Sequence, residues 1–438
     1  MKSVFKVIIS YIFIVSVGLA NAQSKDLKKI SEKYNEQLKQ QKNGVGLLIK
    51  KNNTIETLAL GDYALTADKV FSIGSATKTF TAILILQEVE NGTLKLSDSI
   101  GLYLSPIKNV EGSLTIAQLL SHESGLDEVV EADILKAFFK KDESIYNQNL
   151  LDKVEPHKPE KVGTFQYRNT NYLLLGKILE SMTDQHYFDL LRERIFQPLE
   201  MKKTFAYLHK NINDLAIPTH KGKDVSKYID HRFYGDIPHA AGSIASTLTD
   251  MEKFYVALFE TEKLIKKQTL DLMLSSGNDI YGLGLFKMKY KDQLFYGHGG
   301  NNIGYAFSNA YDPESKALYL VYSNNVSIPI QSIEDDLNGW LNNETIKDFE
   351  AIDIESFKNY EGTYLLKEAN MKVKIVIEKN KIFLVSESQG VKSELNQKDK
   401  NTLIDKETGV SLTKIKDNSE NLTFSQGGFT TVLKRVQE

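Results

Sequence analysis

The sequence predicts an α+β protein: an antiparallel sheet flanked by helices, with an inserted helical lobe, followed by a small C-terminal all-β domain. Three observations carry this. Strand-type runs at 44–60 and 281–323 bracket a long helix-rich middle, so the two ends of one sheet meet in space. A helix opening near Ser75 is apolar almost all round and must be buried. From about Glu355 the texture changes to short alternating runs such as Met371, Val373, Ile375 and Ile377.

Composition sets the limits. The chain has 438 residues, 41% hydrophobic and 25% charged, which is room for two or three ordinary globular domains. Its formal net charge of −3 offers no basic surface for nucleic acid or an anionic membrane. There is no cysteine, hence no disulfide, no thiolate metal site and no lipidated cysteine. Lys2 and Lys6 precede an apolar run at 7–19, too short to span a bilayer comfortably, and Ala20-Asn21-Ala22 gives a small-x-small cleavage pattern. A signal peptide is expected at 1–22, with export to the periplasm or medium and no stable membrane anchor. The expected units are then a main domain at 23–345, a linker at 346–354 and the β domain at 355–438.

The elements follow in order. Residues 25–41 form an amphipathic helix with Leu27, Ile30, Tyr34 and Leu38 on one stripe. Strands at 44–51 and 54–60 flank the Asn52-Asn53 turn. The Ser75 helix stops at Asn91-Gly92. Thr115 and Gln118 have capping-box spacing. A polar, mostly helical stretch runs to about Glu160; a loop at 161–169 precedes a helix at 172–182; a further helix at 187–196 is stopped by Pro198. After a helix at 249–259 come paired strands at 281–289 and 293–298, a turn at 299–302, strands at 304–311 and 317–323, and a helix at 328–341. Two N-terminal strands and three of these C-terminal strands are expected in the main sheet. The tail reads as a meander or partial barrel.

Ser75 and Lys78 are the sharpest candidates. Three residues apart, they share one helix face. Ser75 lies where free N–H groups favour developing negative charge. Hydroxyl, amine and electropositive backbone together make an activated serine. Ser-x-x-Lys occurs four times, at Ser3, Ser75, Ser105 and Ser411. The first is in the leader, the second opens the buried helix, the third precedes Pro106, and the last sits in a predicted strand. Tyr167-Arg168-Asn169 follows a Gly-Thr turn, whereas Tyr322-Ser323-Asn324 ends an apolar strand and reads as core plus turn. His298-Gly299-Gly300 closes a strand beside a tight turn. His231, Asp236 and His239 share one loop, but solvated polar residues explain them better than a metal site. No metal or cofactor is expected.

Taken in order, Ser75-Ala76-Thr77-Lys78, Tyr167-Arg168-Asn169 and His298-Gly299-Gly300 resemble the serine β-lactamase and penicillin-binding-protein superfamily. The resemblance is to its class C-like branch, with family VIII esterases, D-aminopeptidases and D-alanyl-D-alanine carboxypeptidases. It covers roughly 43–341 and includes Leu119 to Leu126, Gly242 to Ser246 and His298 to Tyr305. The tail resembles, weakly, lipocalin-like domains appended to some relatives. The resemblance implies a serine β-lactamase-like fold with Ser75 as nucleophile, Lys78 sharing its proton and Tyr167 as general base or proton shuttle. It implies that Asn169 holds Lys78 and a substrate amide or carbonyl. The N–H groups of Ser75 and Asn301, just beyond Gly300, would form the oxyanion hole, with His298 beside the substrate. His298 stands where many β-lactamases have lysine, and Arg168 replaces a serine.

The expected function is an exported serine acyl hydrolase acting through an acyl-enzyme on D-amino-acid peptides or small esters, its partner a small-molecule or peptide substrate. The rivals are a D-alanyl-D-alanine carboxypeptidase or class C-like β-lactamase, a non-catalytic peptidoglycan-fragment binder, and an adhesin carrying a vestigial hydrolase. A histidine at 298, with an ordinary pKa of about 6.5, is expected to favour uncharged substrates at pH 8 and to attract carboxylates toward pH 6.

Overall fold

The computed structural model describes residues 25–40, 43–51, 54–129, 132–146, 150–220, 222–325, 330–346, 352–366, 371–386, 390–405, 410–415, 420–426 and 429–436. The expected leader and most of the expected linker lie outside the described residues.

β1 (Gly44–Lys51) and β2 (Thr54–Gly61) form the N-terminal hairpin. β3 (Phe286–Tyr290), β4 (Gln293–Gly297), β5 (Gly300–Asn302), β6 (Tyr305–Asp312) and β7 (Ala317–Ser323) come from the far end of the main domain. They build one seven-stranded sheet in the order β2-β1-β7-β6-β4-β3, with β5 paired to β6 off that path. β1 lies antiparallel to β7, Leu47 opposite Val321, so the two ends of the domain do meet. Both faces of these central strands are covered, which is why they read as continuous apolar runs. The C-terminal part supplies five strands rather than three. The turn expected at 299–302 is instead strand over Gly300–Asn302, because its backbone pairs with Tyr305 to Phe307.

α1 (Lys25–Gln40) covers one face of the sheet. The other face carries the helical lobe, where α2 (Thr77–Asn91), α3 (Asn169–Thr183) and α4 (His239–Gly242) meet. α5 (Gln331–Leu341) returns to the α1 side, where Leu27, Ile30 and Tyr34 pack with Ile333, Leu337 and Trp340. Lys33 and Asp336 clamp the two helices at 2.8 Å. The interior of α2 is sealed: Phe80, Ile83, Leu84, Ile85 and Leu86 are all 0% exposed, each such burial contributing about 1.5–3 kcal/mol. Gly92, at φ +73°, ends the helix in the left-handed conformation a glycine adopts without penalty. The Thr115–Gln118 capping box is present. The helix expected at 187–196 is α over Tyr187–Leu191 and widens to a π turn over Arg192–Phe196.

The tail is a meander that closes fully into a barrel: β8 (Gly362–Leu366), β9 (Met371–Glu378), β10 (Lys381–Ser386), β11 (Val391–Asp399), β12 (Thr402–Asp405), β13 (Ser411–Lys414), β14 (Leu422–Gln426) and β15 (Phe429–Val436). β15 pairs back onto β8, Val436 opposite Thr363, which removes the free edges of the sheet. Its core of Phe357, Tyr360, Tyr364, Ile375, Leu412 and Leu433 is a cluster of its own.

Candidate active site

Ser75 sits in a single 3-10 turn, Gly74–Ala76, that leads directly into α2. Gly74 has φ +51°, and a Cβ there would lie 2.8 Å from the Asn301 nitrogen. A Cβ on Gly300 would lie 2.3 Å from the Ser75 nitrogen and 2.2 Å from the Ile73 carbonyl oxygen. Glycine at both crossings therefore lets β5 run against this turn and brings the Ser75 and Asn301 amides close together. Asn302, which sequence reasoning passed over, ties β5 down: its Nδ2 donates to Ser72 Oγ at 2.7 Å and to the Gly242 carbonyl at 3.0 Å.

Lys78 occupies the first turn of α2 and is 0% exposed. Its Nζ lies 3.1 Å from Ser75 Oγ, 2.7 Å from Asn169 Oδ1 and 2.7 Å from the Ala241 carbonyl oxygen. Burial lowers its pKa from 10.5 to about 7, partly opposed by the carboxylate of Glu128. A large share of Lys78 is therefore free amine at neutral pH, with a lone pair able to accept the Ser75 proton. Glu128 also aims Asn169, accepting from its backbone N at 2.8 Å and its Nδ2 at 3.2 Å. That leaves Asn169 Oδ1 for the lysine. Neither Glu128 nor Ala241 carries a local sequence signal, since each reaches Lys78 or Asn169 only through the fold.

The Tyr167 hydroxyl is inaccessible to solvent, with Ser75 near it but no hydrogen bond of good geometry among the described residues. Burial holds its pKa well above the usual 10, and nearby Ser75 eases it only in part. Tyr167 is thus a neutral phenol at physiological pH. Its ring packs between His122, 4.3 Å away, and Phe286, 6.0 Å away, and Lys78 Nζ lies 4.9 Å from its centroid. His122 secures this loop: its carbonyl accepts from the Gln166 amide at 2.8 Å and its Nδ1 from the Arg168 amide at 3.1 Å. Arg168 itself turns to Asp127, 3.5 Å away, and donates to the Tyr167 carbonyl at 3.0 Å.

His298 is 1% exposed. Burial, reinforced by the charge of Lys78, lowers its pKa to about 3. The neutral ring donates from Nδ1 to the Gly299 carbonyl at 2.7 Å and accepts at Nε2 from the Tyr281 hydroxyl at 2.9 Å. Burial works against the gain of charge expected toward pH 6, because an imidazolium there would lose its water. Tyr322, the decoy, is core: it stacks on Phe71 at 3.9 Å and donates to the Thr66 carbonyl at 3.1 Å. His239 lies 3.6 Å from Glu180, while His231 is beside Asp230 at 3.9 Å. A cavity of about 800 Å³ opens on Ser75, Asn169, Asn301 and Asn302.

Fold and site together define a class: an α+β domain holding a serine and a lysine one turn apart at the mouth of a buried helix, with a tyrosine and an asparagine brought to them from the start of a second helix. The sequence pattern of the Beta-lactamase family matches residues 27–335, and the chain belongs to that family. It is 27% identical over 263 residues to the putative penicillin-binding protein PbpX of Bacillus subtilis (strain 168), covering 58% of this chain and 62% of that one. The chain spans between 27% and 62% of the length of the first three curated relatives it matches. The D-amino acid amidase from Ochrobactrum anthropi SV3 complexed with L-phenylalanine has a TM-score of 0.61 at 24% identity, over 73% of this chain and 98% of that one. The octameric penicillin-binding protein homologue from Pyrococcus abyssi has a TM-score of 0.61 at 20% identity, over 93% of this chain and 98% of that one. These likenesses are of fold. Among the described residues no helix is long and apolar enough to cross a membrane.

Proposed function

We propose that the protein is an exported serine acyl hydrolase working through an acyl-enzyme at Ser75 on amides or esters, either D-amino-acid amides and peptides or small carboxylic esters. The observation that carries this is the 3.1 Å Ser75–Lys78 contact with Lys78 brought to about pKa 7 by burial. Ser75 Oγ attacks the carbonyl carbon while its proton passes to the Lys78 amine. The carbonyl oxygen becomes an oxyanion facing the Ser75 and Asn301 amides. The carbon–leaving-group bond breaks as the leaving oxygen or nitrogen takes that proton, with the Tyr167 hydroxyl passing it across. Water then cleaves the acyl-enzyme by the same route, releasing a carboxylic acid and restoring the Ser75 hydroxyl. The neutral state of Tyr167 favours Lys78 as the base and Tyr167 as the relay. Relatives named as penicillin-binding proteins suit a carboxypeptidase or β-lactamase too, but a neutral His298 with both ring nitrogens engaged gives a substrate carboxylate no charge.

Intact-protein mass spectrometry with an activated ester tests the reading. The wild type should show a transient acyl adduct and turnover, and Ser75→Ala neither. A stable adduct without turnover would make it a binding protein; hydrolysis by purified Ser75→Ala would reject Ser75. Export rests on the leader pattern at 1–22. Protein secreted from its native leader should begin at Gln23, and an unprocessed N-terminus would count against it.

A further inference from the structure

The cavity beside Ser75 is larger and more apolar than the reaction at its polar end requires. Its volume, about 800 Å³, is in the upper part of the range for small-molecule sites, roughly 300–1,000 Å³. An acetyl or alanyl group would leave most of it empty. Phe139, Val225, Tyr228, Phe233, Ile237 and Ile303 furnish its apolar walls, and among the described residues no lysine, arginine, aspartate or glutamate lines it. The rings form a continuous wall. Phe139 meets Tyr228 edge-on at 5.1 Å, and Phe138 behind it packs on Phe233 at 4.1 Å. Phe139 nevertheless keeps 46% of its surface exposed.

The position of the cavity assigns it to one half of the substrate. Asn169, Ser75 and Asn301 line it, whereas Lys78, Tyr167 and His298 do not. A leaving group must meet the proton delivered by Lys78 and Tyr167, so it departs on their side. The substituent of the acyl group is what remains to fill the cavity. A carboxylate placed there would lose water against these apolar walls and meet no lysine or arginine among the described lining residues, which is costly.

We propose that this cavity is the acyl pocket of Ser75 and that the substrates are esters or amides whose acyl part carries a bulky, uncharged apolar group, aromatic by preference. The proposal rests on the hydrolase reading above. It is tested on the full chain with p-nitrophenyl esters, which share one leaving group. kcat/KM for the phenylacetate should exceed that for the acetate at least tenfold, the scale on which apolar pockets reward added carbons. The hemisuccinate should fall at least tenfold below the butyrate. In Phe139→Ala and Tyr228→Ala the phenylacetate-to-acetate ratio should drop several-fold; a ratio measured on one preparation is insensitive to partial misfolding. Equal kcat/KM for acetate and phenylacetate in the wild type, or an unchanged ratio in both variants, would overturn the pocket assignment while acetylation of Ser75 left the hydrolase reading standing. If no ester acylates Ser75, both fall.

Discussion

The Tyr281 hydroxyl donates to Nε2 of His298 across 2.9 Å, and the other ring nitrogen of His298 is spent on the Gly299 carbonyl. Burial, with Lys78 beside it, disfavours charge on a residue that sequence alone marks as a switchable cation, although the Gly299 carbonyl by itself would favour the charged ring. Among the described residues His220 is the one histidine lining the cavity, so the two are separable. In a His220→Asn background, the change between pH 8 and pH 6 in kcat/KM of a carboxylated ester relative to a neutral one should be the same with and without His298→Asn, because Lys78 gains its charge over that range in both. A larger rise toward pH 6 in the variant that keeps His298 would mean that His298 takes up a proton after all.

Lys78 should dominate the acid side of the activity profile. With its pKa near 7, kcat/KM for a neutral ester should fall about tenfold per unit below pH 7 and level off above it. A plateau reaching down to pH 5 would remove Lys78 as the base. Stability carries the same signature. Between about 7 and the ordinary value of 10.5 the unfolded chain holds a proton on Lys78 that the folded chain does not, so stability rises with pH there, by at most about 1.4 kcal/mol per unit. Denaturant unfolding at pH 7 and pH 9 should show the wild type gaining on Lys78→Met as pH rises.

Tyr167 and Tyr322 should separate chemistry from stability. The Tyr167 hydroxyl is buried with Ser75 close by but makes no hydrogen bond of good geometry among the described residues, so Tyr167→Phe removes at most one weak contact and should leave Tm nearly unchanged. Loss of a proton relay should still lower kcat by about 10²–10⁴-fold. Tyr322→Phe breaks the bond to the Thr66 carbonyl and should cost about 1 kcal/mol with kcat retained. The reverse pattern in the two variants would exchange their roles.

The barrel should be dispensable for the chemical step. It closes on itself through β8 and β15 and has its own core. Ile354 and Phe357 belong to that core, whereas Ile346 packs in the cluster under α5. The Lys398–Asp335 ion pair joins the two parts, and such a partly exposed pair contributes little. A chain ending at 351 should remain folded and form the acyl-enzyme at an unchanged rate. Insolubility, or a folded product that no longer acylates, would make the barrel part of the site or its core.

Local pattern determined much of this protein. The spacing of Ser75 and Lys78, the all-round apolar α2, the stripe on α1, the Thr115 capping box and the alternation of the tail are each written within a few residues, because helix and strand periodicity act over that range. The order of Ser75, Tyr167 and His298 pointed to the family. Only the tertiary structure decided the rest. Gly300–Asn302 looks like a turn until β6 pairs with it. The barrel closes because its last strand finds its first. Glu128, Ala241 and Tyr281 enter the site across long stretches of chain, from positions where no motif marks them. Above all, the charge of Lys78 and His298 was not legible. Composition supplies an ordinary pKa, but burial decides which ionised form the interior will tolerate, and burial exists only once distant segments have packed.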